Sequence, residues 1–160
     1  MARVLIIGCG CRGRHLARAL TAQGHTIRGT SRTKARYAEI EAAGAEPVLA
    51  NPDRVATLIP AFAGVTITII LLGSANGTPD EITALHTTRL EMLLQRTIDT
   101  TIHGLIYEAT GSIDQNLLDC GANLVETKCK HDGIPYRILR ANTEEWLSEA
   151  TGAIEELLNT

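Results

Sequence analysis

The chain has 160 residues and a formal net charge of -3, with 44% hydrophobic but only 3% aromatic residues. That length suits one domain over residues 1–160 with a single sizeable core, which has to be aliphatic and alanine-packed. The mild negative charge gives no basis for nucleic acid or an anionic membrane as the main partner. No run resembles a signal peptide, because the first apolar run, Val4 to Ile7, ends in a glycine turn. The longest apolar stretch, Val65 to Leu72, is too short for a bilayer. A cytoplasmic location is expected.

In chain order, Arg3–Ile7 reads as a first strand and Arg12–Gln23 as its helix, closed by Gly24. His25–Thr30 is the second strand, Thr33–Ala43 a short helix closed by Gly44, and Glu46–Ala50 the third strand. Asn51-Pro52-Asp53 starts a helix over Arg54–Ile59 that Pro60 ends. The unbroken β-branched and leucine run Val65–Leu72 fits a central parallel strand buried on both faces. After the loop Gly73-Ser74-Ala75-Asn76-Gly77, Pro79 and Asp80 open one long helix to Asp99. His103–Thr110 is a fifth strand, Asp114–His131 a looser helix, and Tyr136–Arg140 a sixth strand. The last helix is amphipathic, with Leu147, Ala150, Ile154, Leu157 and Leu158 on one stripe. Such alternation implies a doubly wound three-layer α/β fold: a six-stranded parallel sheet in order 3-2-1-4-5-6 with helices on both faces.

The richest motif is Gly8-Cys9-Gly10-Cys11-Arg12-Gly13, a G-x-G-x-x-G turn placed directly after a strand and opening a helix. Gly8 allows the tight turn, Gly10 lets backbone approach a pyrophosphate, and Gly13 lets helix and strand lie close. The helix N-terminus adds free N–H groups and a positive dipole end. A dinucleotide is the expected cofactor. NAD binders usually carry an acidic residue about 20 positions beyond the glycines. Here that place reads Thr30-Ser31-Arg32, and no acidic residue falls between Gly13 and Glu39. Hydroxyls and a guanidinium suit a 2′-phosphate, so NADP is expected over NAD.

Four cysteines, at 9, 11, 120 and 129, have neither the spacing nor the histidines of a zinc site, and no metal is expected. They read as small buried residues, with Cys9 or Cys11 the candidates for a reactive thiol. On the long fourth helix, Leu90 and Leu94 look surplus to one buried face, which predicts a homodimer. His86 on that helix reads as a packed or surface residue. Lys128, Lys130 and His131 gather at a helix C-terminus, where positive charge is favourable.

The glycine turn, Thr30-Ser31-Arg32, Leu71-Leu72-Gly73-Ser74, Leu105 to Gly111 and Gly133 to Arg140 resemble the atypical and extended short-chain dehydrogenase/reductase superfamily. The likeness is strongest to its epimerase/dehydratase-like and NmrA-like members, although Ala141-Asn142 replaces the usual Pro-Gly. The resemblance implies an NAD(P)-binding Rossmann protein whose cofactor also meets Leu72, Gly73, Ser74, Cys11 and Arg12. It further implies a Tyr-x-x-x-Lys pair after the fifth strand. Lys128 matches the lysine and Thr110 or Ser112 the strand-end hydroxyl, but Leu124 stands in the tyrosine's place. Glu108 is the candidate substitute base, since Tyr107 and Glu108 alternate across the sheet and only one can face a cofactor. Two functions are compatible with this pattern: an oxidoreductase acting on a small carbonyl or quinone-like compound, or a non-catalytic NADP(H)-binding redox sensor acting through a protein partner.

Overall fold

The computed structural model describes residues 1–142 and 144–160. Six parallel strands form one sheet in the order β3-β2-β1-β4-β5-β6. They are β1 (Arg3–Ile7), β2 (Thr26–Ser31), β3 (Ala45–Leu49), β4 (Ile67–Ile70), β5 (Gly104–Glu108) and β6 (Tyr136–Leu139). The helices are α1 (Cys11–Ala22), α2 (Tyr37–Ala42), α3 (Pro79–Leu85), α4 (Thr88–Thr97), α5 (Gln115–Asp132) and α6 (Trp146–Leu158). The expected α/β architecture and strand order are both present.

Strand side chains alternate between the two faces. Val4 and Ile6 of β1 pack with α1, α2 and α6 through Leu16, Leu20, Ile40, Ile154 and Leu157. Leu5 and Ile7 face the opposite layer, which holds Leu58, Leu93, Leu94 and Val125. β4, flanked by strands on both sides and helices on both faces, is buried at every position. The core is aliphatic as the composition requires, with Phe62, Tyr107 and Trp146 its large aromatic members.

Three expectations are corrected. The single helix to Asp99 is two helices, α3 and α4, broken at His86-Thr87. The break turns His86 fully inward, where two hydrogen bonds hold it. Leu90 and Leu94 are not a surplus surface: they are 2% and 1% exposed and fill the core. A dimer therefore has no ground in them. Pro60 does not end its helix but lies inside a 3-10 segment, Val55–Phe62, whose shorter hydrogen-bonded turns tolerate it.

Candidate functional site

The turn between β1 and α1 is shaped by its glycines. Gly8 has φ +84°, and a Cβ there would collide with the Leu71 carbonyl, so only glycine fits without distortion. The Gly8 amide donates to Thr30 Oγ1 at 3.0 Å, and the Cys9 amide donates to the Thr30 carbonyl at 3.0 Å. Thr30 therefore clamps the turn to the end of β2. Gly13 admits Ile6 Cγ2 and Cys9 Sγ within 3.2–3.3 Å of where its Cβ would be. Gly10 is different: nothing lies within 4 Å of that point. The first helical hydrogen bond runs from Arg14 to Gly10, and among the described residues the amides of Cys11, Arg12 and Gly13 have no partner. Open space beside three free amides suits a phosphate group.

The turn opens into a cleft of about 880 Å³ along the C-terminal ends of the strands. It lies where the strand order reverses, between β1 and β4, the usual ligand position in such sheets. Four arginines line it: Arg12, Arg14, Arg32 and Arg36. Arg14 and Arg36 both pair with Glu39 at 3.2 Å, and Arg12 pairs with Glu108. Arg32 alone has no carboxylate partner among the described residues; its Nη1 donates to the Asn76 carbonyl at 3.2 Å. Ser31 Oγ donates to the Thr33 carbonyl at 2.7 Å beside it.

At the other end of the cleft stands Glu108, the last residue of β5 and only 3% exposed. Its Oε1 accepts the Gly73 amide at 3.0 Å and its Oε2 accepts Arg12 Nη1 at 2.9 Å. Burial pushes its carboxyl pKa up, while Arg12 and the Gly73 amide pull against that rise. Arg12 also donates through Nη2 to Asn142 Oδ1 at 2.5 Å, and its guanidinium lies 5.2 Å from the centre of the Trp146 ring. Tyr107 points to the opposite face of β5, so of the pair only Glu108 reaches the cleft. Behind the cleft wall, His86 Nε2 donates to the Leu72 carbonyl at 2.9 Å, which leaves Nδ1 to accept the Tyr107 hydroxyl at 2.5 Å. Burial lowers the His86 pKa and keeps the imidazole neutral.

Every residue read from sequence as a cofactor contact lines the cleft except Gly73. The Gly73 amide is spent on Glu108, and the Thr110 carbonyl and Glu108 occupy the space a Cβ would need. Thr110 is buried behind the cleft; Ser112 lines it, and its amide donates to Ser74 Oγ at 3.0 Å. Lys128 does not line it: its Nζ pairs with Asp132 at 3.5 Å on α5, one turn further along. Leu124 packs against the core. Cys9 is buried and its thiol pKa is pushed up to about 11, which makes it unreactive; Cys129 is also buried. Cys11 and Cys120 are exposed, against expectation, and Cys11 lines the cleft. Sequence reading missed Asn142, Trp146 and Asp53 as neighbours of this site. The one available signal was position: Asn142 and Asp53 come shortly after the C-terminal ends of β6 and β3.

A family model, the NAD binding domain of 6-phosphogluconate dehydrogenase, matches residues 3–89. That span is more than half of the chain and includes the glycine turn, the end of β2 and the loop after β4. No curated protein matches the sequence. Among solved structures, a Bacillus halodurans protein provisionally named an NAD-dependent epimerase/dehydratase superposes with a TM-score of 0.74 at 23% identity, covering 90% of this chain and 73% of its own. UDP-glucose 4-epimerase from Thermotoga maritima superposes at 0.73 with 14% identity, covering 86% of this chain and 54% of its own. A short-chain dehydrogenase/reductase superfamily protein from Agrobacterium tumefaciens with bound NAD gives 0.70 at 20% identity, covering 86% and 48%. The chain thus spans about half the length of these last two relatives. Among the described residues, no helix is long and apolar enough to cross a membrane.

Proposed function

The chain belongs to the family described as the NAD binding domain of 6-phosphogluconate dehydrogenase, and from that premise we propose that it binds NADP(H) in preference to NAD(H) and acts as an oxidoreductase on a small carbonyl or quinone-like compound. The observation that carries the preference is Arg32. It is the one cleft arginine without a carboxylate partner among the described residues, at the end of β2, where the chain carries no acidic residue before Glu39. Ser31 adds a hydroxyl beside it.

In this reading the diphosphate rests on the free amides of Cys11, Arg12 and Gly13, with Gly10 leaving room for it. Thr30 holds the turn in shape, and Leu72 and Ser74 line the wall beyond it. A bound nicotinamide supplies the hydride. Glu108 holds or moves the proton at Oε2, the carboxylate oxygen that faces Arg12, and Ser112 offers a hydroxyl at the cleft surface. Thr110 supports this end from behind.

Leu124 in the tyrosine's place and Lys128 in an ion pair with Asp132 favour a second reading, a non-catalytic NADP(H)-binding redox sensor that acts through a protein partner. NADPH oxidation, monitored at the nicotinamide absorbance with a panel of small carbonyls and quinones, separates the two. Turnover that Glu108→Gln abolishes supports the enzyme. NADPH that binds but passes hydride to no acceptor supports the sensor.

A further inference from the structure

Resting on the dinucleotide reading above, we propose that Arg12 is a shared cation that leaves Glu108 for the diphosphate of an arriving dinucleotide, and that Glu108 then takes up a proton from solvent. Arg12 is the second residue of α1, two positions past the open space at Gly10 and among the free amides that suit the phosphates. Its side chain is one-third exposed and flexible, whereas the Glu108 side chain is 4% exposed and fixed at a strand end. A diphosphate on the turn brings concentrated negative charge next to a guanidinium that now serves one carboxylate, one amide oxygen and one indole face. Arginine holds phosphate oxygens bidentately, so the phosphates compete well for it.

The groups around Glu108 decide its protonation once Arg12 has left. From α1 comes Arg12, from the loop after β4 the Gly73 amide, from the loop after β6 Asn142, and from α6 Trp146, whose buried indole N–H also favours the carboxylate form. Tyr107 and His86 lie beyond the opposite face of β5, joined to each other and both neutral. Arg12 is thus the one cation at this carboxylate among the described residues. When it moves, a buried carboxylate keeps one backbone amide and a neutral indole N–H but no cation, and such a group neutralises rather than stay charged. The balance is simple: one O–H bond forms on Glu108, the proton comes from solvent, and no electrons change hands. The outcome is a carboxylic acid at the strand end that lacks the usual tyrosine.

The test is calorimetric titration of NADPH into the protein in two buffers of different ionisation heat, for the wild type and Glu108→Gln. Taking the difference cancels the titration of the 2′-phosphate itself. The wild type should take up about one proton more per bound NADPH near neutral pH than Glu108→Gln. Arg12→Lys should retain that excess, and Arg12→Ala should lose it, because its Glu108 already carries the proton. With NADP+, whose ring does not absorb at the tryptophan emission, the chain's one tryptophan, Trp146, should report the departure of Arg12 as a fluorescence change that is smaller in Arg12→Ala. Equal proton counts in the wild type and Glu108→Gln, with NADPH bound to both, would overturn the inference and leave dinucleotide binding standing. If Glu108→Gln does not fold by circular dichroism, Arg12→Ala supplies the same comparison. No binding of NADPH to the wild type would overturn both.

Discussion

The Tyr107 hydroxyl donates to Nδ1 of His86, and the two rings meet edge to face with their centres 5.8 Å apart. His86 in turn donates to the Leu72 carbonyl, so a fully buried chain of polar groups ties the α3–α4 break to the cleft wall. Tyr107→Phe removes the donor and leaves the His86 nitrogen buried and unpaired. Urea denaturation should show a loss of about 1–3 kcal/mol at neutral pH. The pH dependence has a definite sign. The folded pKa of His86 lies below its unfolded value near 6.5, so the unfolded state binds the extra proton as pH falls. Stability from this group is present above about pH 6.5 and is lost below it. In His86→Gln that part of the profile should flatten relative to the wild type.

Gly8 and Gly10 should fail in opposite ways. Gly8→Ala puts a Cβ against the Leu71 carbonyl at a backbone angle of +84°. It should cost more than about 1 kcal/mol in thermal or urea unfolding. Gly10→Val meets open space at an ordinary negative φ, so the fold should lose only about 0.5–1 kcal/mol, the cost of a poor N-cap residue. It fills the phosphate position instead, and dinucleotide affinity measured by calorimetry should collapse.

Arg12→Ala strips Glu108 of its cation. The cost should be about 1–3 kcal/mol, below the cost of breaking a fully buried pair because Arg12 is one-third exposed. The loss should be larger at pH 8 than at pH 5. The folded pKa of Glu108 is already raised, so the group favours the folded state below its unfolded pKa and that contribution fades as pH rises through the folded value. Without Arg12 the fade becomes steeper. Unfolding curves at the two pH values read this difference, and a loss independent of pH would contradict it.

The sheet and its nucleotide turn were legible because they rest on local signals. Unbroken apolar runs mark buried parallel strands, and Gly8, Gly10 and Gly13 sit at fixed offsets from one of them. The absence of acid near Arg32 was legible for the same reason. What escaped depends on partners far along the chain. Nothing around residue 86 in the sequence announces that Tyr107 will draw His86 inward and break the helix. Leu90 and Leu94 are spare surface only on a straight helix; with the break at His86-Thr87 they fill the core. Arg12 meets Asn142, 130 positions away, through a contact that only the closed fold creates.

Arg32→Ala should weaken NADP(H) binding by roughly ten- to a hundredfold, the value of about 1.5–3 kcal/mol for hydrogen bonds to a charged group, and leave NAD(H) binding little changed. An equal loss for both nucleotides would remove Arg32 from the 2′-phosphate.

The most direct measurement is calorimetric titration of the unmodified protein with NADPH and with NADH under one set of conditions. Both nucleotides should bind at one site, NADPH the tighter. Failure to bind either would contradict the assignment of the cleft, and tighter binding of NADH would contradict the role given to Arg32.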